Sequence, residues 1–547
     1  VHKNPKDRKY IVVTGGVISG LGKGVVTSSI GKILQAQGFM VSAVKIDPYI
    51  NLDAGTMRPT EHGEVFVTDD GGETDQDIGN YERFLNKSLT RLHNITTGQV
   101  YQTVIEKERN LEFGGKCVEV IPHIPQEVQR RIKEVAEKDN AEYVLIEIGG
   151  TIGDYQSALF LEAVREMRRQ RNSIIFVHVV YLPVPSNLGE MKTKPAQHSV
   201  RELMASGIQP DFIVGRSEKP MDDVRKDKLA LFCNVEKEDI ISARDVSSIY
   251  KVPLLFEEQR FTQKILSKFG VRHKYKRAEM EKWKRLVEKI DKASQVVKIG
   301  IVGKYFDTGD FSLEDSYISV LEAIKHAACA CDAKAEITWI DSKSFEKGTS
   351  LSNLNNFGGI IVPGGFGSAG TEGKVMSISH VRRHKIPFLG LCFGLQLAVI
   401  EFARNECGMR DANSTEINPK TKHPVIDILP EQVKNIQASN YGNTMRLGSW
   451  PAKLTRGSLA YSLYKKEMVS ERHRHRYEVN PKYIGALEKK GLVFSGVSPD
   501  RRLMEFLELS GHPFFLATQA HPELKSRPLE PSPCFLGLMR ATLKRSQ

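Results

Sequence analysis

Short apolar runs that stop at glycine-bearing turns recur along the chain. Tyr10-Ile-Val-Val13 leads into Thr14-Gly-Gly-Val-Ile-Ser-Gly-Leu-Gly-Lys-Gly24, and a helical pattern then continues to Gln35. Val41-Ser-Ala-Val-Lys-Ile46 and Tyr143-Val-Leu-Ile146 read as further strands, as do 173–181 and 211–214. Helical patterns lie between them, and strand alternating with helix predicts a largely parallel α/β sheet. Arg272 to about Gln295 is charged, helical in pattern and free of glycine and proline, which predicts a linker helix. The alternation restarts at Val297-Lys-Ile-Gly-Ile-Val-Gly303, and Phe357-Gly-Gly-Ile-Ile-Val-Pro-Gly-Gly-Phe-Gly367 is again strand then glycine turn. The expected organisation is an α/β domain over 1–270, a linker over 271–296 and a second α/β domain over 297–547.

At 547 residues, with 40% hydrophobic and 26% charged positions, the chain has material for more than one domain with its own core. No run approaches the roughly 18 apolar residues of a membrane span. Val1-His-Lys-Asn-Pro-Lys-Asp-Arg-Lys9 lacks the apolar centre of a signal peptide. Seven scattered cysteines, an odd number, point to reduced thiols and a cytoplasmic home. Cys329-Ala-Cys331 has no second Cys/His pair at zinc spacing. The net charge of +12 suits polyanionic partners. Much of that excess lies in Lys268–Lys292 and the N-terminal tail, where a solvated helix and linker account for it. No nucleic-acid-binding signature accompanies it, and charge alone does not choose between nucleotides and nucleic acid.

Two stretches carry chemistry. In Thr14–Gly24, glycines let backbone N–H groups approach phosphates, the following helix N-terminus favours anions, and Lys23 adds a point charge. The strict pattern would put four residues between the glycines and Ser or Thr after the lysine. Here five residues separate Gly16 from Gly22, and Gly24 stands at the magnesium-binding position. Hard oxygen ligands must come from elsewhere: Asp75 and Asp77 of the acidic loop 62–83, and Glu147 at the end of a strand. Lys45 ends the second strand in the same crevice, and Lys192 and Lys194, read as lying on a loop, suit a second triphosphate.

The other stretch is Phe388-Leu-Gly-Leu-Cys-Phe-Gly-Leu-Gln-Leu397, a buried strand, a tight turn with Cys392 at the bend, and a helix. The helix's positive end favours a thiolate there. In Gln519-Ala-His-Pro-Glu523, His521 and Glu523 lie two apart in what reads as an extended segment, so both side chains point to one side. Nucleophile, base and orienting carboxylate are then all present. Backbone N–H groups of Gly365 and Phe393 suit an oxyanion hole.

Gly390-Leu-Cys-Phe-Gly-Leu-Gln396 with His521-Pro-Glu523 resembles the class I glutamine amidotransferases. With Thr14–Gly24, Lys45–Asn51, His62–Asp77, Glu147–Asp154 and Lys192–Gln197 in that order, residues from about 10 to 540 are similar to the CTP synthase family. The resemblance implies a P-loop-like amidoligase domain, a linker helix and a class I glutaminase domain. ATP would phosphorylate O4 of UTP, and ammonia, free or from glutamine, would displace the phosphate to give CTP. The resemblance places ATP at Gly20, Leu21, Gly22, Lys23, Gly24 and Val25, at Lys45, and at Arg244, Asp245 and Val246. Asp77 and Glu147 match the Mg²⁺ ligands, Asp77 also meeting ATP.

Ser19, Lys192, Thr193, Lys194, Pro195, Ala196, Gln197 and Lys228 match the UTP site, which overlaps that of the inhibitor CTP. Asp154, Tyr155 and Gln156 match there too. The family commonly has Gly-Asp-Ile-Glu where this chain has Gly153-Asp-Tyr-Gln156, so contacts at 155–156 are expected to differ. Cys392, His521 and Glu523 match the catalytic set, while Gly365, Phe393, Gly394, Leu395, Gln396, Glu416 and Arg476 match the glutamine site. Charges at Glu416 and Arg476 complement the ammonium and carboxylate of glutamine. Gly442–Gly448 resembles a lid loop that responds to the activator GTP, and His62 a residue lining an ammonia passage. The implied partners are ATP, UTP, glutamine, GTP and CTP, without nucleic acid or membrane, in a cytoplasmic homotetramer.

Two other functions fit parts of the pattern. A related amidoligase would aminate another acceptor, such as a cofactor carboxylate. A basic nucleic-acid-binding or filament-forming protein would carry an inactive amidotransferase fold, against which the intact Cys392, His521 and Glu523 speak.

Overall fold

The computed structural model describes residues 8–16, 20–170, 173–187, 189–271, 277–303, 307–308, 311–312, 314–365, 369–428 and 445–545. The chain divides into two compact units, Val1–Ala54 with Asp77–Glu288 and Gly55–Gln76 with Lys289–Gln547. The stretch 55–76, expected in the first domain, therefore groups with the second unit.

The strands of the N-terminal half are β1 (Lys9–Gly15), β2 (Val41–Asp47), β3 (Phe66–Val67), β4 (Glu73–Thr74), β5 (Asn94–Thr96), β6 (Tyr143–Ile148), β7 (Ile174–Tyr181), β8 (Phe212–Ser217) and β9 (Ile240–Arg244). β3 and β4 form an antiparallel hairpin of the second unit. The other seven make one sheet in the order β5-β2-β6-β1-β7-β8-β9. Every pairing in it is parallel, as expected from the alternation. β2 and β6 are buried along their whole length, which is why they read as near-continuous apolar runs. Parallel strands end on one edge of a sheet, so β1, β2 and β6 deliver their C-terminal residues side by side.

Helix Arg277–Lys292, expected to be a solvated linker, buries Met280, Trp283, Leu286 and Val287. That three-to-four spacing is an apolar stripe hidden among charges. Trp283 Nε1 donates to the Tyr250 carbonyl at 2.8 Å, and the ring packs on Phe84 and Tyr250.

The second unit contains β10 (Gln295–Gly303), β11 (Asp307–Thr308), β12 (Phe311–Ser312), β13 (Ala333–Asp341), β14 (Gly359–Val362), β15 (Phe388–Leu391), β16 (Asn413–Ser414) and β17 (Pro424–Ile428). It continues with β18 (Arg446–Leu454), β19 (Met468–His475), β20 (Tyr477–Val479), β21 (Leu492–Val497), β22 (Met504–Leu509) and β23 (Phe515–Thr518). Its main sheet runs β13-β10-β14-β15-β23-β22-β21-β18-β19. The first five of these strands are parallel and the rest antiparallel. Apolar clusters around Phe388 and Leu389 cover the sheet's two faces. The short β11–β12 hairpin and the β16-β17-β20 sheet complete the unit. Among the described residues no helix is long and apolar enough to cross a membrane.

Candidate functional site

In the first unit a charged cluster sits at the strand ends. β2 and β6 pair in parallel with Lys45 opposite Glu147, so the two side chains leave the sheet on the same face. The Lys45 ammonium is 3.1 Å from Glu147 Oε1 and 3.8 Å from Asp47 Oδ1, and it pairs closely with Asp77. Tyr81 donates its hydroxyl to the other Glu147 oxygen, and Asn94 Nδ2 donates to Asp47 at 2.8 Å. Burial, then the neighbouring Asp77 charge, raises the Glu147 carboxyl to about 7. Burial raises Asp47 to about 6. Asp77 is lowered: burial opposes its charge, but the Lys45 ammonium outweighs that.

Lys23 starts helix Lys23–Gln35, and its Nζ donates to the Gly150 carbonyl at 2.6 Å, in the turn after β6. Burial lowers its pKa against the pull of Glu147. At Gly24 an added Cβ would run into the Asp77 carboxylate, so the residue without a side chain lets Asp77 lie against the helix start.

In the second unit β15 and β23 are parallel neighbours with Leu391 opposite Thr518. Cys392 directly follows β15 and His521 lies three residues beyond β23, so strand pairing alone brings the thiol and the imidazole to one edge. Cys392 caps helix Phe393–Asn405 at φ 50° and ψ −100°, a conformation non-glycine residues rarely adopt. Its amide N–H donates to the Thr518 carbonyl at 2.7 Å, which holds the bend. At Gly394 an added Cβ would overlap the Val362 carbonyl, so the tight turn needs glycine. His521 Nδ1 is 2.7 Å from Glu523 Oε1. Burial opposes charging the His521 ring, but the Cys392 sulfur and then Glu523 raise its pKa well above the ordinary value.

A cavity of about 240 Å³ opens on Cys392 and His521, walled by Gly364, Gly365 and Arg476 and by Met57, Pro59 and Val65 of segment 55–76. Beside it a smaller cleft is lined by Gly365, Cys392, Phe393, Gln396, Glu416 and Arg476. An acid, Glu416, and a base, Arg476, thus line the same cleft as the thiol.

The chain resembles known proteins along most of its length. The family model described as "CTP synthase N-terminus" matches residues 9–271, and "Glutamine amidotransferase class-I" matches 312–541. CTP synthase of Pyrococcus furiosus is 53% identical over 543 residues, 98% of each chain. That of Methanocaldococcus jannaschii is 50% identical over 546 residues, 98% of this chain and 99% of its own. A solved structure of the Trypanosoma brucei CTPS glutaminase domain with bound acivicin shows 37% identity over 45% of this chain and 94% of its own, with a TM-score of 0.42. The chain belongs to the CTP synthase family. Its reaction is the ATP-dependent amination of UTP with glutamine, the final step of CTP synthesis. Of the three functions open to the sequence, the family selects the first.

With the CTP synthase family fixed, the expected residues can be placed one by one. Arg216, at the end of β8, was not anticipated: it donates to the Gly20 carbonyl at 3.3 Å and pairs with Asp245 at 3.3 Å. It therefore brings loop 244–246 beside Gly20–Gly22. A basic residue closing a strand was the available signal. Leu21 is buried, Val25 and Val246 are half-buried, and Arg244 is exposed. Ser19 lies outside the described residues, as do 442–444 of the expected lid loop.

Lys192 pairs with Glu190 at 2.8 Å. Lys194 is not on a loop as expected: it begins helix Lys194–Ala205, because Pro195 is pre-set for a first helical turn. Thr193 caps that helix, and Ala196 and Gln197 are buried in its first turn. Asp154 accepts from the Thr151 hydroxyl at 2.8 Å, while Tyr155 is 97% exposed and Gln156 and Lys228 are exposed.

Asp75 groups with the second unit, 3.7 Å from His62 Nδ1, whereas Asp77 groups with the first. In the glutaminase unit, the Leu395 side chain points into the apolar core, and Gly394 serves the bend. His521 and Glu523 are not in an extended segment: Pro522 opens a 3-10 turn, Pro522–Lys525, that curls the carboxylate back to the ring. Sequence reasoning also missed Arg472 and Arg474, whose partners lie some 400 positions away on the hairpin.

Proposed function

We propose that Cys392 attacks the glutamine amide carbon, and that His521 carries the proton between the thiol and the departing ammonia. Glu523 orients the ring, and water then hydrolyses the thioester to glutamate. Gly365 and Phe393 N–H groups are assigned to the oxyanion, with Gly394, Leu395 and Gln396 shaping the backbone and side walls of the site. Glu416 is assigned to the ammonium of glutamine and Arg476 to its carboxylate. The observation that carries this half is the 2.7 Å His521–Glu523 contact beside a thiol held at a strained bend.

For the first unit we assign Lys23 and Lys45 to the transferring phosphates of ATP, with Gly20–Val25 and Arg244–Val246 around the nucleotide. Asp77 and Glu147 would hold Mg²⁺. The fit is chemical: two hard-oxygen carboxylates already converge on a single cation, the Lys45 ammonium. Mg²⁺ is commonly held by one or two carboxylates plus phosphates, and there it neutralises oxygens as charge moves. Ser19, Asp154–Gln156, Lys192–Gln197 and Lys228 are assigned to UTP and to the inhibitor CTP. Likeness to the family further supports activation by GTP, a passage for ammonia past His62, a homotetramer and a cytoplasmic setting. It also supports amidoligase and glutaminase roles for 1–270 and 297–547.

In this reading O4 of UTP becomes a phosphate ester, ammonia bonds to C4, and the O4 oxygen departs with phosphate. UTP labelled with ¹⁸O at O4 tests it. The label is expected in inorganic phosphate; label recovered in water would mean that amination proceeds without phosphorylation.

A further inference from the structure

β19 is the outer strand of the second unit's sheet. An edge strand has backbone groups that no neighbouring strand uses. Here two of its carbonyls face the catalytic pair. The His521 backbone N–H donates to the Arg472 carbonyl at 2.7 Å, and the Cys392 sulfur lies 3.9 Å from the Arg474 carbonyl. The side chains of the same two residues reach the β3–β4 hairpin. Arg472 Nε donates to Asp69 at 2.8 Å, its guanidinium lying over the Phe66 ring. Arg474 donates to Glu73 at 2.7 Å and to the Gly55 carbonyl at 3.0 Å. Residues two apart in a strand point the same way, which is why one hairpin meets both.

The hairpin seats closely. Ser449 N–H donates to the Asp69 carbonyl at 2.9 Å, and Gly448, at φ 82°, approaches so near that an added Cβ would be 2.6 Å from the Gly71 nitrogen. Arg472 is fully buried and Glu73 nearly so. A buried charge that loses its partner is strongly destabilised, so strand and hairpin hold each other in register. The hairpin also continues into the wall of the Cys392 cavity at Met57, Pro59 and Val65.

We propose that Arg472 and Arg474 are positioning residues for glutamine hydrolysis, setting His521 and Cys392 through their carbonyls according to how Asp69 and Glu73 seat the hairpin. The inference rests on the assignment of Cys392 as nucleophile and deepens it. By sequence the hairpin lies within residues 9–271, outside the amidotransferase match. The chemistry at Cys392 is thereby made conditional on the N-terminal half of the chain.

The test uses full-length Glu73→Gln and Asp69→Asn, with ATP, UTP, GTP and Mg²⁺ present. Glutamine-dependent kcat is expected to fall about 10- to 100-fold, since small misplacements of reacting groups cost that much, with a smaller change in KM. Ammonia-driven CTP formation should stay within about twofold of native. The pH profile of Cys392 alkylation by iodoacetamide should move, because His521 shifts relative to the sulfur. Arg474→Lys keeps the charge but loses the fork to Glu73 and Gly55, and should fall between native and Glu73→Gln. Native-like glutamine kcat and alkylation profiles in both hairpin variants would overturn the proposal, as would equal losses of the glutamine and ammonia routes. If native protein used glutamine equally well after Cys392→Ala, the nucleophile assignment itself would fail instead.

Discussion

The two charged centres solve opposite problems. In the proposed reading the chain supplies the whole reacting set at Cys392, where a strained bend, a 2.7 Å His521–Glu523 contact and a walled cavity hold the side chains in place. At the first unit's strand ends the chain supplies charge rather than a closed site. Three carboxylates share Lys45, two of them, Asp47 and Glu147, buried and thereby kept from easy ionisation, while Tyr155, Gln156 and Lys228 stand exposed. Covalent catalysis needs a nucleophile and base already aligned, since misalignment of reacting atoms costs rate directly. Phosphoryl transfer instead needs positive and negative groups positioned around charges that arrive with the nucleotide and its metal. The difference teaches that preorganisation is invested where the protein itself forms the bond.

The largest expected effect separates the centres outright. Cys392→Ala should lower glutamine-dependent CTP formation by about 10³-fold or more, as loss of a nucleophile does. Ammonia-dependent formation should stay near native, measured by the same assay with ammonium chloride. Glu147→Gln should lower both routes by about 10²-fold or more, because both draw on the same nucleotide chemistry. Glutamate release without CTP would still be measurable in that variant. An ammonia-active Glu147→Gln would remove Glu147 from the metal and phosphate site. The hairpin variants above fall next, affecting only the glutamine route.

The smallest effect concerns stability. Arg446 holds both Glu478, at 3.3 Å, and Glu505, at 2.6 Å, in a buried network with His473 and His475. Burial raises the Glu478 carboxyl to about 8, against an ordinary 4.5. Between those values the folded protein keeps a proton that the unfolded chain has lost. Stability contributed by this group therefore declines as pH rises from 4.5 to 8 and levels off above. Thermal unfolding of native and Glu478→Gln protein at pH 5.5 and 8.5 should show a smaller pH-dependent fall in the variant. An unchanged difference would place the titration elsewhere.

Much of this was legible in the sequence where function sits at strand ends. Apolar runs announced β1, β2, β6 and β15; Lys45 and Glu147 lie near the C-terminal ends of β2 and β6, Cys392 directly follows β15, and Lys23 comes after the glycine turn that follows β1. Elsewhere local patterns misled. Lys194 reads as a loop residue, although the Pro195 that follows it is at home in a first helical turn. Trp283 sat unnoticed in a run of charges, although its neighbours at helical spacing are apolar. The Asp69–Arg472 and Glu73–Arg474 pairs could not be read at all. Each is an acid in a glycine-rich loop and a base in an Arg-His run, ordinary surface features until folding joins positions 403 and 401 residues apart.

The central claim is that nitrogen freed at Cys392 becomes the amino group of CTP. Incubating native protein with UTP, ATP, Mg²⁺, GTP and glutamine, while following pyrimidine absorbance and released glutamate together, tests it most directly. One glutamate per CTP is the predicted result, with both lost in Cys392→Ala. Glutamine-dependent CTP formation that persists in Cys392→Ala would contradict it.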